Sequence, residues 1–234
     1  MDILDIIPTN QEKFSDTFSH FLKKTSTAYS VAPLSYLLSR GIKNSTLDGL
    51  LKQLPNGAII AGGYALSVLQ EDNNATDIDF FFTSEEAFTS TYNLLTNKEL
   101  EETSAYHGYT LKEDLSEDQK ARYVSFTHPT KPAIQLIKMV WYTDAAHVID
   151  SFDFTISQFA FTNTQFVFNG LSILDLARKR LVLHRMQFPA STLRRIIKYT
   201  HKGYYICPGS LVTVCEHIQG YRGKLDVNDV VYLD

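Results

Sequence analysis

Apolar residues in the first fifty positions recur at helical spacing, as Phe14, Phe18, Phe21 and Leu22 and then, after Pro33, as Leu34, Leu37 and Leu38. This pattern predicts a helical lead-in. At residue 58 the pattern changes. Ala58-Ile59-Ile60-Ala61 is short, apolar and stopped by Gly62-Gly63, which predicts a buried strand running into a tight turn, with a short helix over 64–70 behind it. After a polar stretch over 71–76, the run Asp77-Ile78-Asp79-Phe80-Phe81-Phe82 has strong strand propensity. Ser84 with Glu85 and Glu86 reads as the N-cap and acidic first turn of a helix to residue 95. Residues 97–121 are charged and weakly patterned and read as a mobile excursion. Residues 122–127 and 133–142 read as a strand pair around His128-Pro129-Thr130-Lys131-Pro132. Beyond Phe168 helical spacing returns over 171–183, 192–204 and 210–220. The order predicts an α+β protein: a helical lead-in over 1–50, a mixed-sheet core with packed helices over 51–170, and a helical C-terminal lobe over 171–234.

Composition narrows the class. With 234 residues, 44% hydrophobic and 21% charged, the chain fits an ordinary globular protein rather than a disordered or disulfide-built one. No apolar run reaches the roughly 18 residues of a membrane span, and Asp2 and Asp5 stand where a signal peptide would carry positive charge, so the expected location is cytoplasmic, without membrane association. Cys207 and Cys215 lie near His201 and His217 but lack the paired spacing of a zinc knuckle, and read as buried structural thiols. The net charge of −4 is unevenly spread. Residues 71–118 hold 13 of the 26 acids against two lysines, whereas residues 178–202 hold eight Lys and Arg with no acid. One face or lobe is expected to be basic.

The candidate chemistry centres on Asp77 and Asp79. At i and i+2 on a strand, both carboxylates point to one face and Ile78 and Phe80 to the other. Carboxylates held side by side repel unless a cation lies between them, and hard oxygen donors favour magnesium or manganese. An isolated Asp-x-Asp also fits two solvent-facing residues at a strand edge. The glycine pair 14 residues before Asp77 changes the picture, because Gly62 and Gly63 join a strand to a helix N-terminus, where backbone N–H groups can approach phosphate. From residue patterns alone the furthest expectation is a candidate two-metal phosphate site.

The succession of strand, Gly-Gly, helix, turn and Asp-x-Asp resembles the signature of the polymerase-β-like nucleotidyltransferase superfamily. A second stretch, Asp153-Phe154-Thr155-Ile156-Ser157-Gln158-Phe159-Ala160-Phe161, resembles the RRDFTINALAY motif of the branch that holds the CCA-adding tRNA nucleotidyltransferases and bacterial poly(A) polymerases. Gly170-Leu171-Ser172-Ile173-Leu174-Asp175-Leu176 is similar to that branch's glycine, spacer and Asp-Leu, and residues 192–204 are more loosely similar to its arginine-rich helix. The resemblance covers residues 58–204. It implies a nucleotidyltransferase-like mixed sheet, with Asp77 and Asp79 as catalytic metal ligands for Mg2+ or Mn2+. It also implies that Gly62, Gly63, Arg178, Arg194, Arg195 and Lys198 contact the nucleotide. The implied reaction transfers NMP from a nucleoside triphosphate to an acceptor, which could be an RNA 3′ end, a protein or a small molecule.

The departures from that pattern bear on activity. Where the family has Gly-Gly-x-Val-Arg-Asp, Leu66 and Ser67 replace the arginine and aspartate. Ser151 and Phe152 replace the paired arginines before Asp153, and the family's acidic position on a later strand falls at Gln135. Asp150 and Asp153 are the nearest candidates for a third carboxylate, but in the resembling motif the aspartate opens a helix, so Asp153 is read as an N-cap first. The 30 residues after Tyr204 are too few for the family's tRNA-holding domains. The alternative is therefore a catalytically impaired protein of this fold that binds nucleotide or nucleic acid or plays a structural part.

Overall fold

The computed structural model describes residues 29–34, 44–72 and 75–220. In chain order these form β1 (Tyr29–Pro33), α1 (Ser45–Lys52), β2 (Ala58–Ala61), α2 (Gly63–Leu69), β3 (Asp77–Phe82), α3 (Glu85–Thr96), β4 (Thr110–Leu111), α4 (Glu117–Arg122), β5 (Tyr123–Thr127), β6 (Ala133–Ile137) and α5 (Ala145–Asp150). A 3-10 turn at Thr155–Ser157 is followed by β7 (Phe159–Phe161), β8 (Gln165–Asn169), α6 (Gly170–Ala177), β9 (Arg180–Leu181), α7 (Pro189–His201), β10 (Tyr205–Ile206) and α8 (Pro208–Gly220). The protein is α+β with a mixed sheet, as the pattern predicts. Of the expected helical lead-in, Tyr29–Pro33 is instead a strand and Ser45–Lys52 a helix, while Phe14, Phe18, Phe21, Leu22, Leu37 and Leu38 lie outside the described residues. No described helix is long and apolar enough to cross a membrane.

The chain divides into two compact units. The first in functional interest comprises residues 30–152 and 157–168 and carries the sheet, ordered β1-β8-β7-β2-β3-β6-β5-β4. Most neighbours run antiparallel, but β3 and β6 are parallel. One face of β3 is fully buried. Ile78, Phe80 and Phe82 are shielded from solvent, with Phe82 edge-on to Phe88 of α3 and Phe80 against Tyr106. Burying three such side chains stabilises the strand by about 1.5–3 kcal/mol each. Three of the helices start where a short polar side chain accepts from one of their first N–H groups: Asn44 caps α1, Ser84 caps α3 as expected, and Asp144 caps α5.

Residues 97–121 are anchored rather than loose. The buried Tyr106 hydroxyl donates to Leu50 O at 3.0 Å, Tyr109 donates to Pro132 O at 2.9 Å, and Ser104 donates to Gln53 Oε1 at 2.6 Å. The charged composition hid these tyrosine anchors, each buried too deeply for its phenol to ionise readily.

The other unit comprises residues 29, 153–156 and 169–220 within the described chain. Here α6, α7 and α8 accompany a two-stranded parallel pairing of β9 with β10. Its apolar centre includes Phe154, Leu181, Tyr199, Tyr204 and Val214, with the Tyr199 ring edge-on to both Phe154 and Tyr204. Both cysteines are free thiols. The buried-thiol reading fails at Cys215, which is exposed on α8, while Cys207 is half-buried with its Sγ 2.9 Å from Ser210 Oγ.

Candidate functional site

The two aspartates of β3 share one face. Asp77 and Asp79 are both half-exposed while Ile78 between them is fully buried, as period-2 alternation requires. Phe81 continues that row, and its ring meets Tyr142 and Phe152 edge-on at 5.8 and 5.6 Å, closing the far end of the face with aromatic surface. Sequence reading missed this aromatic end, although the signal was there in the four-residue offset between Asp77 and Phe81.

Backbone pairing supplies the neighbours. In the antiparallel ladder Ala61 lies opposite Asp79, so the chain leaves β2 directly beside that carboxylate. Gly62, the N-cap of α2, has φ 79° and ψ −142°, a combination open in practice to glycine alone. A Cβ there would stand 3.3 Å from Asp79 Oδ2, whereas a Cβ on Gly63 would meet nothing within 4 Å. Gly62 is thus fixed by backbone shape and closeness to Asp79, and the space over Gly63 is open.

On the other side of β3, the parallel register sets Gln135 of β6 opposite Asp79. Its amide Nε2 donates to Asp77 Oδ2 at 3.3 Å, and Thr76 Oγ1 donates to Asp77 Oδ1 at 3.2 Å. The sequence alignment of Gln135 with the family's later acidic position therefore coincides with a place next to both aspartates. Two carboxylates and a carboxamide make this donor set. The carboxylate oxygens suit a hard divalent cation. Among the described residues, no group of three or more His, Cys, Asp or Glu side chains is arranged to hold a metal ion.

The positions where family arginines and an aspartate are replaced serve packing. Leu66 is 4% exposed in the core, Ser67 Oγ donates to Tyr64 O at 2.8 Å, Ser151 Oγ donates to Val148 O, and Phe152 packs on Phe81.

In the other unit the resemblance motifs are tied to one another. Thr155 Oγ1 donates to Asp175 Oδ2 at 2.7 Å, joining the Asp-Phe-Thr-Ile stretch to the Asp-Leu of α6. Asp153 is 8% exposed, and its Oδ2 accepts from Thr192 Oγ1 at 2.9 Å and from Arg195 Nη1 at 2.5 Å. Its carboxylate thus binds α7 instead of capping a helix, which corrects the N-cap reading, since the following turn is only a 3-10 segment. Arg195, read as a nucleotide contact, is engaged by Asp153; Arg194 is half-buried, and Arg178 and Lys198 are exposed. Partners 39 and 42 residues apart leave no periodic trace in sequence. Burial raises the Asp175 carboxyl above its ordinary value, against the opposing pull of the Thr155 hydrogen bond and of Arg180 and Arg178.

Residues 9–179 match the model of a family described as Gad2: Gabija anti-defense 2 family protein. No curated protein matches the chain. Among solved structures it is similar to a CCA-adding enzyme in complex with CTP, at 14% identity and a TM-score of 0.57 over 81% of this chain and 47% of that one. It is also similar to the Thermotoga maritima CCA-adding enzyme complexed with tRNA, at 14% identity and a TM-score of 0.56 over 81% and 46%. A tRNA-processing enzyme in an apo form aligns at 13% identity and a TM-score of 0.52 over 74% and 46%. The chain spans less than half the length of these structures, and the likeness establishes a nucleotidyltransferase-like fold.

Proposed function

The chain belongs to the Gabija anti-defense 2 family, and on that premise we propose that it acts against Gabija defence as a metal-dependent nucleotidyltransferase. The observation that carries this reading is the pair Asp77 and Asp79 on one face of β3, with Gly62 against Asp79 and open space over Gly63. In the proposed reaction an acceptor hydroxyl oxygen attacks the α-phosphorus of a nucleoside triphosphate and loses its proton to water, the new O–P bond forms, and pyrophosphate leaves with the electron pair of the broken Pα–O bond. Asp77 and Asp79 would hold Mg2+ or Mn2+, which when bound supplies positive charge to the triphosphate and its leaving group. The Gly62–Gly63 turn admits the phosphates close to the backbone. Positive charge for a phosphate-bearing partner comes from Arg178, Arg194, Arg195 and Lys198, with Arg195 also tied to Asp153. The acceptor is an RNA 3′ end, a protein side chain or a small molecule.

A specific observation favours a second reading. Gln135 and Leu66 stand where charged residues are expected of an active relative, which fits a protein that binds nucleotide without turning it over. One experiment separates the two. The chain is incubated with Mn2+ and each α-labelled nucleoside triphosphate in the presence of Gabija components, total RNA and lysate protein. Label transfer with pyrophosphate release supports the enzyme. A rise in Tm with Mn2+ and nucleotide but without transfer supports the binding protein. Neither response would overturn both.

A further inference from the structure

Gln135 is the residue at which this site departs most from one built for two cations. It faces Asp79 in the strand register and donates to Asp77 Oδ2. Because an ionised carboxylate only accepts hydrogen bonds, the part of the amide that meets Asp77 is its NH2 group, whose hydrogen carries partial positive charge. The other oxygen of Asp77 already receives the Thr76 hydroxyl. A carboxylate at 135 would add a negative charge and further ligand oxygens. The amide adds no charge and turns a donor toward Asp77 Oδ2, where a cation would need a free lone pair.

Charge makes the same point. Two divalent ions about 3.5–4 Å apart repel strongly and depend on anionic ligands to neutralise both. Asp77 and Asp79 supply two negative charges, and among the described residues no third acid, His or Cys joins them in a group able to hold a metal ion. The residues therefore fit one cation and not two.

We propose that the site takes a single divalent cation together with its nucleoside triphosphate, and that the Gln135 amide stands in place of the second cation by holding Asp77. This inference rests on the nucleotide-site reading above.

The test counts Mn2+ retained per bound nucleotide by equilibrium dialysis, using the four α,β-methylene nucleoside triphosphates, which cannot transfer. Electron paramagnetic resonance on the same samples looks for magnetic coupling between two ions. Wild-type protein should retain one Mn2+ per nucleotide without coupling, and Gln135→Glu should retain two with a coupled signal. Melting curves check each variant: without metal, Gln135→Glu should melt lower than wild type because a third carboxylate joins two others, and Mn2+ should restore it. Gln135→Met, which removes the amide without adding charge, should keep one ion. Two coupled ions in the wild type overturn the inference while leaving the nucleotide site standing. One ion in both wild type and a folded Gln135→Glu also overturns it. Failure of the wild type to retain any nucleotide removes the site reading itself, and the inference with it.

Discussion

A Cβ built on Gly62 would stand 3.3 Å from Oδ2 of Asp79, at a backbone φ of 79°. Two costs fall on one substitution: a conformation that L-residues rarely adopt, and crowding of a carboxylate. Gly62→Ala should therefore lower stability by about 1–3 kcal/mol, read by urea denaturation. Gly63→Val meets open space and should cost less than about 1 kcal/mol while weakening nucleoside triphosphate binding in calorimetry. Unchanged affinity in a folded Gly63→Val protein would reduce the glycine pair to a turn.

Asp77→Asn and Asp79→Asn should each abolish metal-dependent nucleotide transfer and keep the fold. Each removes a carboxylate charge from a half-exposed face and no core volume, so the stability change should stay within about 0.5 kcal/mol. Wild-type turnover in either variant would show that the aspartates are not the metal ligands.

Arg195 should matter to folding as much as to any phosphate. Its partner Asp153 has a side chain 7% exposed, and truncation to Arg195→Ala leaves that charge buried beside the Thr192 hydroxyl. The expected loss is about 3 kcal/mol, the low end for a broken buried pair because Arg195 itself is 38% exposed. In a double-mutant cycle, Asp153→Asn should rescue part of the loss. An Arg195→Ala protein as stable as wild type would mean that solvent already screens the pair.

Binding to nucleic acid is best tested away from that pair. Arg178 and Lys198 are exposed, so Arg178→Glu with Lys198→Glu should keep the fold, with a lower Tm because Arg178 attracts the buried Asp175 carboxyl. If single-stranded RNA is bound, wild-type affinity should fall with salt at a log-log slope of roughly −0.7 per phosphate contact, and the double variant should show a shallower slope. Identical slopes would make these side chains part of a solvated surface.

The Asp175 carboxyl is raised chiefly by burial, so the native state holds its proton more tightly than the unfolded chain does. Its favourable contribution is full at low pH and is lost as pH rises from the ordinary value of 3.8 through the raised one. Asp175→Asn carries no such charge and can still accept from Thr155 through its amide oxygen. Denaturation at several pH values from acid to neutral should show the stability difference moving toward the variant as pH rises. A constant difference would mean that Arg180 and Arg178 offset the burial completely.

Local order in the sequence was enough for several elements. The run Ala58–Ala61 with its glycine stop gave β2, the alternation of Asp77 to Phe82 gave β3 and the shared face of both aspartates, and Ser84 with two glutamates gave the start of α3. These are short-range properties, set by side-chain period and capping, and they are written in neighbouring residues. The family-like stretches were also legible, because each is contiguous.

Tertiary structure alone decided what lies beside what. The parallel register that sets Gln135 against Asp79, the joining of Thr155 to Asp175, and the capture of Asp153 by Arg195 connect residues 20 to 56 positions apart, and no periodic pattern encodes such pairings. The tyrosine anchors of residues 97–121 were hidden for the same reason, since their partners, such as Leu50 O and Pro132 O, are backbone atoms without sequence identity. Sequence determined which chemical groups the chain owns and which face of a strand they take; packing and strand pairing determined which of them meet, because those contacts depend on the whole sheet closing in one register.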